Sequence, residues 1–104
     1  MERMGRTTFA SLVQRLFDVD GQKVAKQLAN LGGDYARFVR QAAGGVARAQ
    51  EKEAIFGRGK RMWEIRLDDD LVYFDRLEYH EIPNGTWGRM GESFTVPMPK
   101  ELEG

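Results

Sequence analysis

Apolar positions in the first half of the chain recur with the period of a helix. Phe9, Leu12, Val13, Leu16 and Phe17 fall at i, i+3, i+4, i+7 and i+8, which predicts one stripe on a first helix, with Thr7 or Thr8 as its N-cap. Asp18-Val19-Asp20-Gly21 reads as a turn, because Asp side chains bond nearby backbone amides and Gly tolerates positive φ. Val24, Leu28 and Leu31 mark a second, short helix that Asp20 can cap and Gly32-Gly33 can end. Tyr35, Phe38, Val39, Ala42, Val46 and Ala49 continue the period on a third helix, capped by Asp34 and running as far as Phe56. Gly44-Gly45 sits inside it among small residues, so the pair either kinks the helix or admits the close approach of another element, a second helix or a partner.

From residue 61 the period changes to two. Trp63, Ile65 and Leu67 alternate with Glu64 and Arg66, as on a half-buried strand. Asp68-Asp69-Asp70 suits a hairpin turn. In Leu71 to Ile82, Leu71, Tyr73, Leu77 and Tyr79 share one phase while Val72, Phe74, His80 and Ile82 share the other, which predicts a strand covered on both sides for part of its length. Asp75-Arg76 marks a bulge or bend. Pro83-Asn84-Gly85 is the strongest turn signal in the chain. Thr86 to Val96 forms a third strand that Gly88 and Gly91 interrupt, and Pro97 and Pro99 end it before a short acidic tail. The expectation is an α+β fold of one domain: three helices over residues 7–56, then a three-stranded antiparallel meander over 61–97 packed on them.

Composition narrows the class. At 104 residues, 41% hydrophobic and 31% charged, the chain has the make-up of one soluble globular domain. Its longest apolar run, Leu71-Val72-Tyr73-Phe74, is far short of the about 20 residues of a spanning helix. Gln14 and Arg15 interrupt any secretory core near the N-terminus. Without cysteine there are no disulfides, thiolate metal sites or thiol nucleophiles, which points to a reducing, cytoplasmic compartment. The net charge of zero hides an asymmetry: residues 1–61 carry +6 and residues 62–104 carry −6. Such a split signals a charged partner, pairing between the halves, or head-to-tail association of copies.

Few side chains are arranged for chemistry. His80 is the sole histidine, and on a strand its neighbours Tyr79 and Glu81 point to the opposite face, so it forms no ready triad. Three consecutive aspartates at 68–70 are suited to a hard cation but equally to solvent. Asp18-Val19-Asp20-Gly21 fails as a calcium loop, because Lys23 and Ala29 occupy the positions of its glycine and its bidentate glutamate. No cofactor motif is present: Gly57-Arg58-Gly59-Lys60-Arg61 has neither Walker nor Rossmann spacing. That loop does combine flexible glycines, three cations and the adjacent Trp63, a composition suited to phosphates and a stacked base. Arg37 and Arg48 share a face of helix three, with Arg40 one turn from Arg37, so Arg37, Arg40, Arg48, Arg58, Lys60 and Arg61 together outline a surface for nucleic acid or an acidic partner.

Gly59-Lys60-Arg61-Met62-Trp63-Glu64-Ile65-Arg66-Leu67, followed by Val72-Tyr73-Phe74, resembles the central strands of RelE/HigB-type messenger-RNA-cleaving toxins, over about 16 residues. The resemblance implies an RNase whose expression arrests growth. The chain departs from the pattern in having no first strand before its helices and no basic, aromatic C-terminus.

Three functional expectations follow. The first is a non-enzymatic interaction protein, an adaptor, inhibitor or regulatory factor, that binds a protein partner. Six of the 11 aromatics lie in the β half, and Tyr79 and Trp87 are the candidate interface anchors. The second is a nucleic-acid-binding protein using the basic helical half and the Gly57 to Arg61 loop. The third is the toxin-type RNase.

Overall fold

The computed structural model describes residues 4–56, 60–100 and 102, and of residues 54–56, 80–82, 86, 87, 89 and 90 it describes the backbone alone. Three helices precede an antiparallel sheet: α1 (Arg6–Gln14), α2 (Gly21–Asn30) and α3 (Gly33–Phe56), then β1 (Lys60–Asp68), β2 (Leu71–Ile82), β3 (Gly85–Met90) and β4 (Phe94–Pro97). This is the expected α+β arrangement, with β1, β2 and β3 in meander order.

The helix starts differ from expectation. Gly5 occupies the N-cap of α1, and Thr7 and Thr8 lie inside its first turn. Asp20 stands at the N-cap of α2 but its carboxylate accepts from Arg15 instead of the helix amides. Asp34 lies within the first turn of α3, where it pairs with Arg37 and accepts the Lys100 N–H at 3.1 Å. In each case the side chain expected to satisfy the first-turn amides is out of position or turned to another partner.

α1 ends at Gln14, and a 3-10 turn (Arg15–Phe17) swings the chain toward α2. Gly21 is required there by space rather than by its φ. A Cβ on it would overlap the carbonyl of Leu16, so only glycine lets α2 start this close to the turn. Gly32 and Gly33, at φ 74° and 53°, do use the left-handed region and separate α2 from α3.

One core joins the layers. Phe9 and Val13 of α1, Val24 and Leu28 of α2, and Tyr35, Phe38 and Ala42 of α3 meet Ile65, Val72, Phe74 and Val96 of the sheet. Phe9 meets Phe38 edge-on at 5.1 Å between centroids, and Phe38 lies 6.2 Å from Phe74. Each such fully buried side chain contributes about 2 kcal/mol through removal of apolar surface from water. Gly45 accepts the ring of Phe94, which stacks on Phe74 at 4.8 Å. The small-residue stretch of α3 thus admits a side chain from the sheet rather than another helix.

The third strand is divided. β3 pairs with Leu77–Ile82 and β4 with Leu71–Phe74, both along the same side of β2. Four steps lead from Met90 to Phe94 while three lead from Leu77 to Phe74, so one extra residue bulges opposite Asp75-Arg76, anchored by the Gly91 N–H on the Arg76 carbonyl at 2.6 Å. The β1–β2 hairpin turns at Asp69-Asp70, with Asp69 at φ 47°, and the β2–β3 loop residues are Pro83 and Asn84.

Expected coverage of β2 on both sides is replaced by coverage on one. Val72 and Phe74 are fully buried under the helices, whereas Leu71, Tyr73, Leu77 and Tyr79 stay half-exposed on the outer face, where the Arg66 guanidinium lies 4.3 Å from the Tyr73 ring. The segment after β4 is tied down: Met98 is buried and donates to the Asp70 carbonyl at 2.7 Å, and Leu102 packs against the core. Among the described residues no helix is long and apolar enough to cross a membrane.

Candidate functional site

The antiparallel ladder decides which backbone groups of β1 are free. Gln14, the last residue of α1, donates its side-chain amide to the carbonyl of Ile65 at 2.9 Å. That carbonyl therefore faces away from β2. Along an antiparallel strand, alternate residues direct both N–H and C=O to the same side, so Trp63 and Arg61 also turn their backbone groups outward. Met62 and Glu64 are the residues bonded into the ladder. Among the described residues no donor or acceptor meets the outward groups of Arg61 and Trp63.

A groove of about 450 Å³ runs along this edge. Gln14, Phe17 and Asp18 form one wall, Val46 and Gln50 of α3 another, and Arg61, Trp63, Ile65 and Arg76 the floor. Trp63 is held on three sides: stacked on Phe17 at 5.5 Å, edge-to-face with Phe94 at 5.7 Å, and under the Arg76 guanidinium at 4.6 Å.

Behind the tryptophan lies an ionic cluster of two cations and two anions. Arg76 makes a forked pair with Glu53 of α3, its Nη2 bond measuring 3.1 Å, and Arg61 reaches Glu78 at 3.4 Å and Glu53 at 3.9 Å. Glu78 is only 5% exposed, and a carboxylate that buried needs charged or hydrogen-bonding neighbours, of which Arg61 is one. The Arg76 hydrogen bond, with the charges of Arg76 and Arg61, holds the Glu53 carboxyl below the ordinary glutamate value against the opposing effects of burial and Glu78. The cluster fixes Arg76 over Trp63. No serine, threonine, histidine or tyrosine lines the groove, and no group of three acidic or histidine side chains suited to a metal occurs among the described residues.

The residues expected to form one basic surface are divided. Arg61 faces inward onto carboxylates rather than outward to phosphates. Lys60 is exposed at the start of β1, and Arg58 lies outside the described residues. Arg37 pairs with Asp34. Arg40 and Arg48 are exposed, make no ion pair among the described residues, and line a second groove of about 370 Å³ with Gln41, Gly44 and Phe94–Pro97. Two positions on a helix differ by about 200°, so Val46 and Arg48 occupy opposite flanks of α3 and the two grooves do not merge into one face. Tyr79 is half-exposed on the outer sheet face opposite Lys60, and Trp87 pairs in register with His80, its side chain outside the description.

A third groove, about 180 Å³ and almost wholly apolar, lies between α2 and α3. Phe17 and Val46 line both it and the β1 groove, so the two grooves adjoin across these side chains. Phe17 had the periodicity of a core residue. The 3-10 turn displaces it to the rim, 39% exposed, beside a fully exposed Val19. The roles of Gln14, Glu53 and Arg76 had no local signal, because each depends on a partner 23 or more positions away.

No protein-family model, curated protein or solved structure matches the chain.

Proposed function

We propose that this chain is a non-enzymatic, cytoplasmic binding module for another protein, whose contact surface runs from the β1 groove across Phe17 into the groove between α2 and α3. The observation that carries this reading is that the two grooves adjoin across Phe17, which stands partly in solvent two positions before the fully exposed Val19. Large apolar side chains in water are costly, and clustered beside an apolar groove they favour a protein surface as the missing cover. Trp63 supplies the rigid aromatic platform typical of the residues that dominate binding energy.

A second reading rests on Arg40 and Arg48. Two exposed arginines two helical turns apart, with Gln41 between them and no carboxylate partner described, suit the phosphates of a nucleic acid. It uses the opposite flank of α3.

Affinity capture from a lysate of the organism that makes the chain separates the two. The first reading expects a protein that stays bound after nuclease and is lost when Phe17→Ser and Val19→Asp are combined. Capture that disappears with nuclease, or with Arg40→Ala and Arg48→Ala alone, transfers the function to the second.

A further inference from the structure

We propose that the groove between α3 and β4 is a phosphate-binding site, held from one wall by Arg40 and Arg48 and from the other by the backbone N–H of Thr95. The proposal deepens the second reading above and rests on it for the two arginines.

The cations of α3 divide in a telling way. Of its four, Arg37 pairs with Asp34 and Lys52 with Glu92 at 3.2 Å, while Arg40 and Arg48 meet no carboxylate among the described residues. The two without a partner are the two that line this groove of about 370 Å³, whose lining holds no aspartate or glutamate. An anion is the ligand that such a lining calls for.

Gly44 brings the two arginines to one space. Arg40 stands one turn before it and Arg48 one turn after it. The Arg48 Nη1 atom lies 3.4 Å from where a Cβ on Gly44 would stand, and beyond the glycine's own stretch of helix nothing else lies within 4 Å of that point. The missing side chain leaves a floor across which Arg48 reaches back toward Arg40, about 6 Å of helix rise away. Two cations turned toward one space repel each other until an anion enters it.

The opposite wall selects phosphate among anions. Val96 and Phe94 bond β2 in the phase set by Val72, Phe74 and the Gly91 N–H on the Arg76 carbonyl, so Thr95 between them turns its N–H out of the ladder. Thr95 lines the groove, which places donors on two walls. A tetrahedral phosphate turns oxygens to both walls at once, whereas a carboxylate has two oxygens in one plane and serves one wall. An added protein strand is a poor occupant, because Pro97 has no N–H and leaves Thr95 as the one outward donor of β4. Phe94, the aromatic of the lining, is already stacked on Phe74, so the ligand is gripped by its phosphate and not by a stacked base.

The test uses the isotope-labelled full chain at low ionic strength and fixed pH, titrated in turn with inorganic phosphate, with acetate at matched ionic strength, and with a ten-nucleotide single-stranded thymidine oligomer. Phosphate should move the Thr95 amide resonance saturably, and acetate should bind about tenfold more weakly or not at all. Arg40→Ala with Arg48→Ala should weaken phosphate by about tenfold or more; both side chains are exposed, so the core is untouched. Gly44→Leu keeps both charges but fills the floor, and should weaken phosphate by a similar factor. A Thr95 amide that phosphate leaves unmoved overturns the site, as does acetate that matches phosphate, or a Gly44→Leu chain that folds and binds as the native one does. Should Gly44→Leu fail to fold, phosphate against acetate on the native chain still decides. An oligomer that binds about tenfold more tightly than phosphate, through the same residues, makes a nucleic-acid strand the source of the phosphate. Phosphate bound as tightly as the oligomer keeps the site, assigns it to a free phosphate compound, and ends the nucleic-acid reading. An oligomer that needs Arg40 and Arg48 yet leaves the Thr95 amide unmoved overturns the two-walled site while the nucleic-acid reading stands.

Discussion

The two edges of the sheet are built differently. The edge formed by β3 and β4 is broken into strands of six and four residues, carries a one-residue bulge at its middle, and ends in Pro97, which has no N–H to offer. Exposed edges are templates for unwanted pairing, and short strands, bulges and proline are the usual protections. The β1 edge has none of these. It runs nine residues without proline or glycine, and among the described residues only Gln14 meets its outward backbone, at Ile65. A chain that protects one edge three ways and leaves the other open over an aromatic groove presents two surfaces with different tasks.

The sharpest way to break the comparison is to unseat the protected edge. Phe94 stacks on Phe74, abuts Trp63 and fills the space that Gly45 leaves, so Phe94→Ala removes a side chain for which no neighbour can substitute. A loss of about 3 kcal/mol is expected in denaturant unfolding, with faster amide exchange in β4 than elsewhere in the sheet. A loss under about 1 kcal/mol would mean that β4 is not fastened by this packing, and the contrast between the edges would lose half its basis.

The open edge depends on charge. Glu53→Gln leaves Arg76 and Arg61 with one fewer carboxylate in a half-buried setting and should cost about 2 kcal/mol at neutral pH. The pH dependence has a definite sign. Because the folded-state value of Glu53 lies below its ordinary 4.5, the glutamate's contribution is complete above that value and is lost as the pH falls through the folded value. The stability gap between the native chain and Glu53→Gln should therefore be constant near neutrality and narrow as the pH falls below the ordinary glutamate value of 4.5. A gap that stays constant through that range would show that Glu53 acts through shape alone.

A smaller effect is expected at the end of the groove. Gln14→Ala removes the donor to the Ile65 carbonyl, at a cost of about 1 kcal/mol, and lengthens the free edge by one residue. Sedimentation at rising concentration should show more self-association than the native chain. Equal sedimentation would indicate that Gln14 supports the fold without guarding the edge.

Much of this architecture is legible along the chain, and the reason is periodicity. Phe9, Val13, Phe38, Ala42, Ile65, Val72 and Phe74 each occupy the buried phase that their spacing indicates, because a helix or strand with one apolar stripe has one way to face a core. The helix caps were not legible. Asp20 and Asp34 can cap, but a nearby arginine is the stronger partner for each carboxylate. Gly21 reads as part of a turn and Gly44-Gly45 as a kink or a place where a helix or partner comes close; Gly21 leaves space for the Leu16 carbonyl, and Gly45 for the Phe94 ring of the sheet. The candidate site is least visible of all. Whether β1 is an edge or a central strand depends on pairing order, and whether Arg61 meets solvent or Glu78 depends on a neighbour 17 positions away. A run of cations is readable in the sequence; the carboxylates that neutralise part of it are brought there only by folding.

The smallest expected change tests the protected edge by undoing one protection. In the ladder with β2, Val72 pairs with Val96 and Phe74 with Phe94, and the Gly91 amide bonds the Arg76 carbonyl in the same phase, so Thr95 and Pro97 are the β4 residues whose backbone faces outward. Pro97→Thr therefore adds an outward N–H without disturbing any existing ladder bond, and threonine suits an extended backbone. Stability should change by less than about 0.5 kcal/mol in denaturant unfolding. What should change is company: once the substituted position presents a donor alongside that of Thr95, self-association through this edge should become detectable in sedimentation at high concentration, while capture of a protein partner stays as in the native chain. If Pro97→Thr instead alters partner capture and leaves self-association untouched, the two edges are coupled through Phe94 and Trp63, and the division of tasks between them is wrong.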